Sequence, residues 1–375
     1  MTTLTGLDVL VEQAFVPLQG LRLGLVCNHT AISRQRRHLL DLALEHGLDV
    51  KAILSPEHGF QGRLDAPVAS SVHEPTGIPI HSLYGQSQKP TPEMLAGLDA
   101  LVYDIADIGV RFYTYTTTMS HSMSAAAEVG LPFFVLDRPN PIRGDIVAGP
   151  VLDKPLSSLA AWHPLPLRHG LTSGELTGWA NAKYEFGADL RVVQCRGWQR
   201  GMWFHETGLP WVNPSPNIRN PRQAILYVAI GTLEACNISV GRGTDTPFEV
   251  LGAPWMDEMV AAEALNAAGI AELTFVPIRF TPYEREFVGQ DCGGVFILLG
   301  DWDRFEPVRG ALQIALTLQR LWPQEFGCGR MRHLLGSEAA TQAVCALQPV
   351  DEIVGLWQDE LRECAAELAR HWLYE

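Results

Sequence analysis

The chain has 375 residues, 47% of them hydrophobic, with 25 prolines and 9% aromatic residues, a composition that excludes a disordered chain and suits a folded enzyme-sized protein of two domains. Its formal net charge is −14 and no Lys/Arg run of useful length occurs, which argues against a nucleic-acid partner and against adhesion to anionic membranes. No apolar run is long enough to span a bilayer, so membrane insertion is not expected.

In the N-terminal half one rhythm repeats. A short apolar run (21–27) closes on Asn28 and His29. A second (50–54) closes on Ser55-Pro56-Glu57-His58-Gly59, a third (100–103) on Asp104, and a fourth (132–136) on Asp137-Arg138-Pro139-Asn140-Pro141. Apolar runs that do not alternate are buried on both faces, as strands of a parallel sheet are. Residues 34–46 and 118–130 have the composition of crossover helices between them. Strand–helix alternation predicts an open α/β layer fold, and in such sheets ligands sit beyond the carboxyl ends of the strands, where all four runs place their polar residues. Residues 162–178 read as a connection, with a helix starting at Thr172 or Ser173. After residue 190 the pattern changes. Strand-like pieces (190–195, 273–278, 294–299) lie among Gly/Pro turns, and helices follow at 308–321 and 350–374. The expected division is an α/β domain over 1–185 and a smaller α+β domain over 186–375.

Four clusters carry candidate chemistry. Glu57 follows a strand and a proline and precedes Gly59, which permits a tight turn. A carboxyl partly shielded there by Phe60 is placed to act as a general acid, with His58 beside it to tune it; it is placed equally well to cap a helix. Next, residues 103–115 gather two aspartates, one arginine and three tyrosines at a strand end. Asp104 or Asp107 would pair with Glu57 across a scissile bond, Arg111 would bind a carboxylate through its planar fork, and Tyr113 lies beside them. An internal Asp–Arg pair ordering the loop is the alternative. The stiff segment 137–141 presents Asn140, unless Asp137 and Arg138 only tie the loop down. Finally, Asn217 lies in a Pro-rich turn, and residues 234–244 offer Glu234, Asn237, Arg242 and Thr244, with Gly241 and Gly243 allowing close backbone approach. Asn28, at the end of the first strand, joins this binding set.

Several chemistries have no signature. The phosphate-loop grammar and G-x-G-x-x-G are missing, as are H-x-x-x-H, H-E-x-x-H and G-x-S-x-G, so no cofactor or metal is expected. Cys27, Cys195, Cys236, Cys292, Cys328, Cys345 and Cys364 are scattered without a C-x-x-C pair, the pattern of free thiols in a reducing compartment. Residues 1–10 lack a basic stretch followed by an apolar one, so a cytoplasmic location is expected, with a secreted or periplasmic one the alternative if a leader has been removed.

The motifs SPEHGF (55–60), SLYG (82–85), YDIADIGVRFYTY (103–115), LDRPNP (136–141), HGLTSGEL (169–176), WVNPSPNIRNP (211–221), GRGTDTPFEVLGAPW (241–255) and CGGVFI (292–297) together resemble the NamZ-type exo-β-N-acetylmuramidases, formerly a bacterial domain of unknown function. Two motifs depart from the family pattern: Asp104-Ile105-Ala106-Asp107 stands where members usually read DIQD, and Glu234-Ala235-Cys236-Asn237 where they usually read EGTN. The resemblance implies a Rossmann-like N-terminal domain, a smaller C-terminal one and a cleft between them. It further implies removal of non-reducing terminal β-1,4-linked N-acetylmuramic acid (MurNAc) from peptidoglycan fragments, with Glu57 as the leading catalytic residue. Arg111 and Arg242 would then meet the lactyl carboxylate, and the 2-acetamido group is a candidate internal nucleophile. A binding protein for muropeptides, or a hydrolase for another acidic sugar, would use the same cleft.

Overall fold

The four apolar runs of the N-terminal half form the middle of one sheet in the computed structural model of the chain, which describes residues 2–62, 69–85 and 87–375. Among the described residues nine strands occur before residue 200: β1 (Arg22–Cys27), β2 (Asp49–Ser55), β3 (Ser71–His73), β4 (Ile78–Ser82), β5 (Ala100–Asp104), β6 (Phe133–Leu136), β7 (Ala148–Val151), β8 (Pro166–Arg168) and β9 (Leu190–Val193). Seven of them make the large sheet, in the order β3-β4-β2-β1-β5-β6-β9, and β7 and β8 form a separate antiparallel ribbon. Within the large sheet only β3 and β4 pair antiparallel.

Side chains of a strand alternate between faces, and here both faces are buried. Val26, Leu101, Tyr103, Phe133 and Val135 join one apolar cluster; Leu25, Ala100, Val102, Phe134 and Leu136 join another. That explains why these runs show no polar alternation. The chain leaves β1 towards β2 on one side and later returns to β5 on the other, so the topological switch lies between β1 and β5.

The helix expected at 118–130 spans Tyr115–Glu128. The one expected at 34–46 is only Leu39–Glu45, because the preceding residues make a loop closed by a bridge between Ile32 and His38, and the His38 ring caps the helix. Thr172 caps Ser173–Lys183 as expected, and the Glu175 side chain reaches back to the Thr172 amide at 3.0 Å.

Residues 190–193, read from sequence as the first strand of the second domain, pair in parallel with β6 instead. Their half-exposed position at the sheet edge removes the continuous apolar run that marks its neighbours. A second sheet is antiparallel, with β12 (Cys292–Leu299) between β10 (Val250–Ala253) and β11 (Leu273–Phe280). Helix Glu258–Ala267 packs on it, and helix Pro307–Leu321 packs on helix Pro221–Ile230. The helix expected over 350–374 is two, Val350–Gly355 and Gln358–Ala369, with Trp357 turned into the core at the break.

The cysteines differ from expectation at one place. Cys328 and Cys345, 17 residues apart in sequence, are joined as a disulfide. Two short helices, Arg332–Leu335 and Glu338–Cys345, fold the chain back to bring them together. Cys27, Cys195, Cys236, Cys292 and Cys364 are free thiols. Among the described residues no helix is long and apolar enough to cross a membrane, and no group of His, Cys, Asp and Glu has the form of a metal site.

Candidate active site

β2 delivers Glu57. The strand ends at Ser55, Pro56 turns the chain out of the sheet, and the Gly59 amide bonds back to the Pro56 carbonyl at 3.0 Å. His58 (φ 68°) and Gly59 (φ 73°) both take left-handed backbone to make this turn. For a residue with a β-carbon that conformation costs on the order of 1 kcal/mol, and such strain collects at functional sites. Thr114, the residue before helix Tyr115–Glu128, donates its hydroxyl to Glu57 Oε2 at 2.6 Å, fixing the carboxyl's orientation. The Tyr115 hydroxyl donates to the Pro214 carbonyl at 2.8 Å, tying the same corner to the 213–217 turn.

Glu57 opens into two joined cavities of about 90 and 450 Å³ that share Phe112, Thr114, Tyr227, Glu234 and Arg242 in their walls. His58, Tyr113, Ser215 and Asn217 line the inner one. Ala160, Glu286, Arg330, His333 and Leu334 line the outer one. One wall is aromatic: Phe112 meets Tyr227 edge-on at 5.0 Å, and Tyr227 meets Phe248 at 4.6 Å. Glu234 follows the short helical turn Gly231–Leu233 and is ion-paired with Arg242. Burial pushes the Glu234 carboxyl above its usual value, against the pull of Arg242. The inner cavity thus joins two carboxyls, one guanidinium on the second of them, and an apolar aromatic wall, and the outer one adds Glu286 and Arg330.

Of the residues expected from sequence, Glu57, His58, Tyr113, Asn217, Glu234 and Arg242 meet here. The others do not. Asp104 is fully buried and held by Arg138, whose Nη2 donates to Oδ2 at 2.9 Å in a two-point pair. Asp107 lines a separate crevice at the β1/β5 switch with Thr30, Ala106, Arg138 and Trp211. Its Oδ2 accepts from the Gly109 amide at 2.8 Å and lies 3.4 Å from His169 Nε2. The second carboxyl of the cavity is therefore Glu234, rather than either aspartate.

Arg111 is buried, and its fork is filled by backbone carbonyls: Pro150 (2.7 Å), Leu165 (2.9 Å), Leu334 (3.0 Å) and Leu335 (2.7 Å). Desolvation pulls the guanidinium down to about 9. Asn28 is buried and folds its own loop, its Oδ1 accepting from the Thr30 amide and hydroxyl at 2.9 and 2.6 Å. Asn140 clasps Leu171 O at 3.0 Å and the Ile142 amide at 3.1 Å. Asn237 donates to Glu325 O at 2.9 Å, and Thr244 closes its turn on Gly241 O at 2.6 Å. Phe60 packs edge-on against His38 and His73 and is not part of the cavity wall.

Sequence reasoning missed Phe112, Thr114, Tyr227, Glu286, Arg330 and His333. Phe112 and Thr114 lay inside a motif already singled out. Tyr227 could have been found from helix Pro221–Ile230, where it is the half-buried aromatic among buried aliphatics. No local signal marks Arg330 or His333.

A profile of the family described as exo-beta-N-acetylmuramidase NamZ, N-terminal, matches residues 23–222, and its C-terminal counterpart matches 225–374. The chain belongs to the NamZ family. It is 38% identical to the peptidoglycan beta-N-acetylmuramidase NamZ of Bacillus subtilis (strain 168), over 99% of this chain and 91% of that protein. Crystal structures of two DUF1343 family proteins of Bacteroides fragilis share the fold. One has a TM-score of 0.90 at 32% identity and the other 0.82 at 29%, each covering 100% of this chain and 99% of its own. In this NamZ family member the SPEHGF motif carries Glu57, GRGTDTPFEVLGAPW carries Arg242, and WVNPSPNIRNP carries Asn217, so three distant motifs converge on one cavity.

Proposed function

We propose that the chain is an exo-β-N-acetylmuramidase that removes non-reducing terminal MurNAc from peptidoglycan fragments, with Glu57 as general acid and base. The observation that carries this reading is the Glu57 carboxyl, oriented by Thr114 and sharing an aromatic-walled cavity with the Arg242-held carboxyl of Glu234. Glu57 gives its proton to the glycosidic oxygen as the bond to the anomeric carbon breaks and the shortened chain leaves. Positive charge grows at the sugar ring, and the carboxylate of Glu234 stabilises it. Glu57, now ionised, takes a proton from the water that adds to the anomeric carbon. Half-buried Tyr227, backed by the buried Phe112 and Phe248, is placed to meet the apolar side of a pyranose ring. Of the two compartments left open by the sequence, the Cys328–Cys345 bond favours one outside the reducing cytoplasm.

The test is nitrophenol release from 4-nitrophenyl β-MurNAc, beside the β-GlcNAc analogue and the Glu57→Gln variant. The expected result is cleavage of the MurNAc compound alone, reduced at least about a thousandfold in the folded variant, the scale at which removing an essential acid acts. MurNAc binding without turnover would leave a sugar-binding protein instead.

A further inference from the structure

MurNAc differs from N-acetylglucosamine by a lactyl ether that ends in a carboxylate, so an enzyme that selects MurNAc needs a cation aimed at that group. Neither arginine that sequence suggests is available for this. Arg111 is buried with its fork on four carbonyls, and Arg242 is held by Glu234. The outer cavity carries two more basic residues, Arg330 and His333, both exposed and one helical turn apart, and Arg330 is the permanent cation of the two. Arg332, between them, is paired with Glu338, whereas Arg330 forms no ion pair among the described residues.

The segment that bears them is held at three points. The Asn237 side chain and amide bond Glu325 O and Phe326 O at 2.9 and 3.1 Å. The Cys328–Cys345 disulfide fixes its start. Arg111 bonds the Leu334 and Leu335 carbonyls at its end. Burying a guanidinium without a paired carboxylate is costly, and here it ties this turn to the Pro150 and Leu165 carbonyls elsewhere in the fold. A cation held in place loses less freedom when it binds, and an arginine fork matches a carboxylate at two points.

We infer that Arg330, supported by His333, binds the lactyl carboxylate of MurNAc and is the residue that separates MurNAc from N-acetylglucosamine. The inference rests on the proposed muramidase reading of the same cavity. It gives Arg111, Asn237 and the disulfide one shared purpose as positioning groups.

Calorimetric titration of the full chain with free MurNAc and with free N-acetylglucosamine tests it. Arg330→Gln, checked for an unchanged circular dichroism spectrum and melting temperature, is expected to weaken MurNAc binding at least tenfold and leave N-acetylglucosamine binding unchanged. Arg330→Lys should recover part of the loss, since it keeps the charge and lacks the fork. Equal weakening of both sugars, no weakening of either, or no MurNAc binding by the unaltered protein overturns the inference. An unaltered protein whose MurNAc binding depends on Arg330, but which cleaves no MurNAc glycoside, would remove the hydrolase reading and leave this one standing. Cleavage that is indifferent to Arg330 would do the reverse.

Discussion

At Asp104 the carboxylate expected to act in catalysis is instead engaged from two sides by Arg138, inside the protein. Burial pushes that carboxyl above its usual range and Arg138 opposes the shift. The pair therefore orders the ends of β5 and β6. Removing one partner of a buried pair strands the other, which costs about 3–5 kcal/mol. Asp104→Ala is accordingly expected to lose stability on that scale in urea unfolding while its turnover per folded molecule stays near that of the unaltered chain. A collapse of turnover with stability unchanged would return Asp104 to the catalytic set. The same distinction explains the misread asparagines. Asn28, Asn140 and Asn237 sit at strand or helix ends, where an amide serves equally to bind a ligand or to close the local backbone. All three close backbone, and nothing in a single sequence separates the two uses. Glu57, which its position after a strand and a proline left open to ligand binding or to helix capping, lines the cavity with its carboxyl held by Thr114.

Strands buried on both faces were legible in kind and place, whereas the edge strand β9 was legible as a strand but not as part of this sheet. β1, β2, β5 and β6 announce themselves by unbroken apolar runs, and the capping pair Thr172 and Glu175 marks its helix to the residue. β3, β4, β7, β8 and β9 are short, half-exposed or interrupted by proline, and their pairing is set by tertiary contact. Between two helices lies a titratable group of consequence. His163 bonds Ser120 on helix Tyr115–Glu128 at 3.0 Å and Tyr184 at the end of helix Ser173–Lys183 at 3.1 Å. Desolvation pulls its imidazole from 6.5 down to about 3. The folded state therefore keeps His163 neutral where the unfolded state takes a proton. The stability this contributes is present above pH 6.5 and is lost as pH falls towards 3, at up to about 1.4 kcal/mol per unit. His163→Gln should flatten the fall in melting temperature between pH 6.5 and 5, a window above the titration of most carboxylates. Equal slopes for both proteins would show that His163 does not set it.

The active cavity is a property of the whole molecule. Glu57 comes from the turn after β2 and Thr114 from the start of helix Tyr115–Glu128, Tyr227, Glu234 and Arg242 from the middle of the chain, and Arg330 and His333 from its last sixth. Sequence reading reached Glu57, Glu234 and Arg242 from the motifs that hold them, but missed Thr114 inside one of those motifs and Tyr227 outside them. It missed the third group because an exposed arginine and histidine near a cysteine look like any solvated turn. What makes them part of the site is the way Cys328, bonded to Cys345, bends the chain back across the sheet-borne Glu57. Breaking that bond therefore has two consequences. A closed loop of this length contributes about 3 kcal/mol in the chain-entropy account, so Cys345→Ser should lower unfolding stability by roughly that amount. The freed segment also carries Arg330, so KM for 4-nitrophenyl β-MurNAc should rise several-fold while kcat changes little, because Glu57 and Thr114 are anchored elsewhere. Addition of a thiol reductant to the unaltered chain should reproduce both effects, and should do nothing to the variant. If stability falls and KM does not move, Asn237 and Arg111 suffice to hold the turn, and the disulfide serves the fold alone.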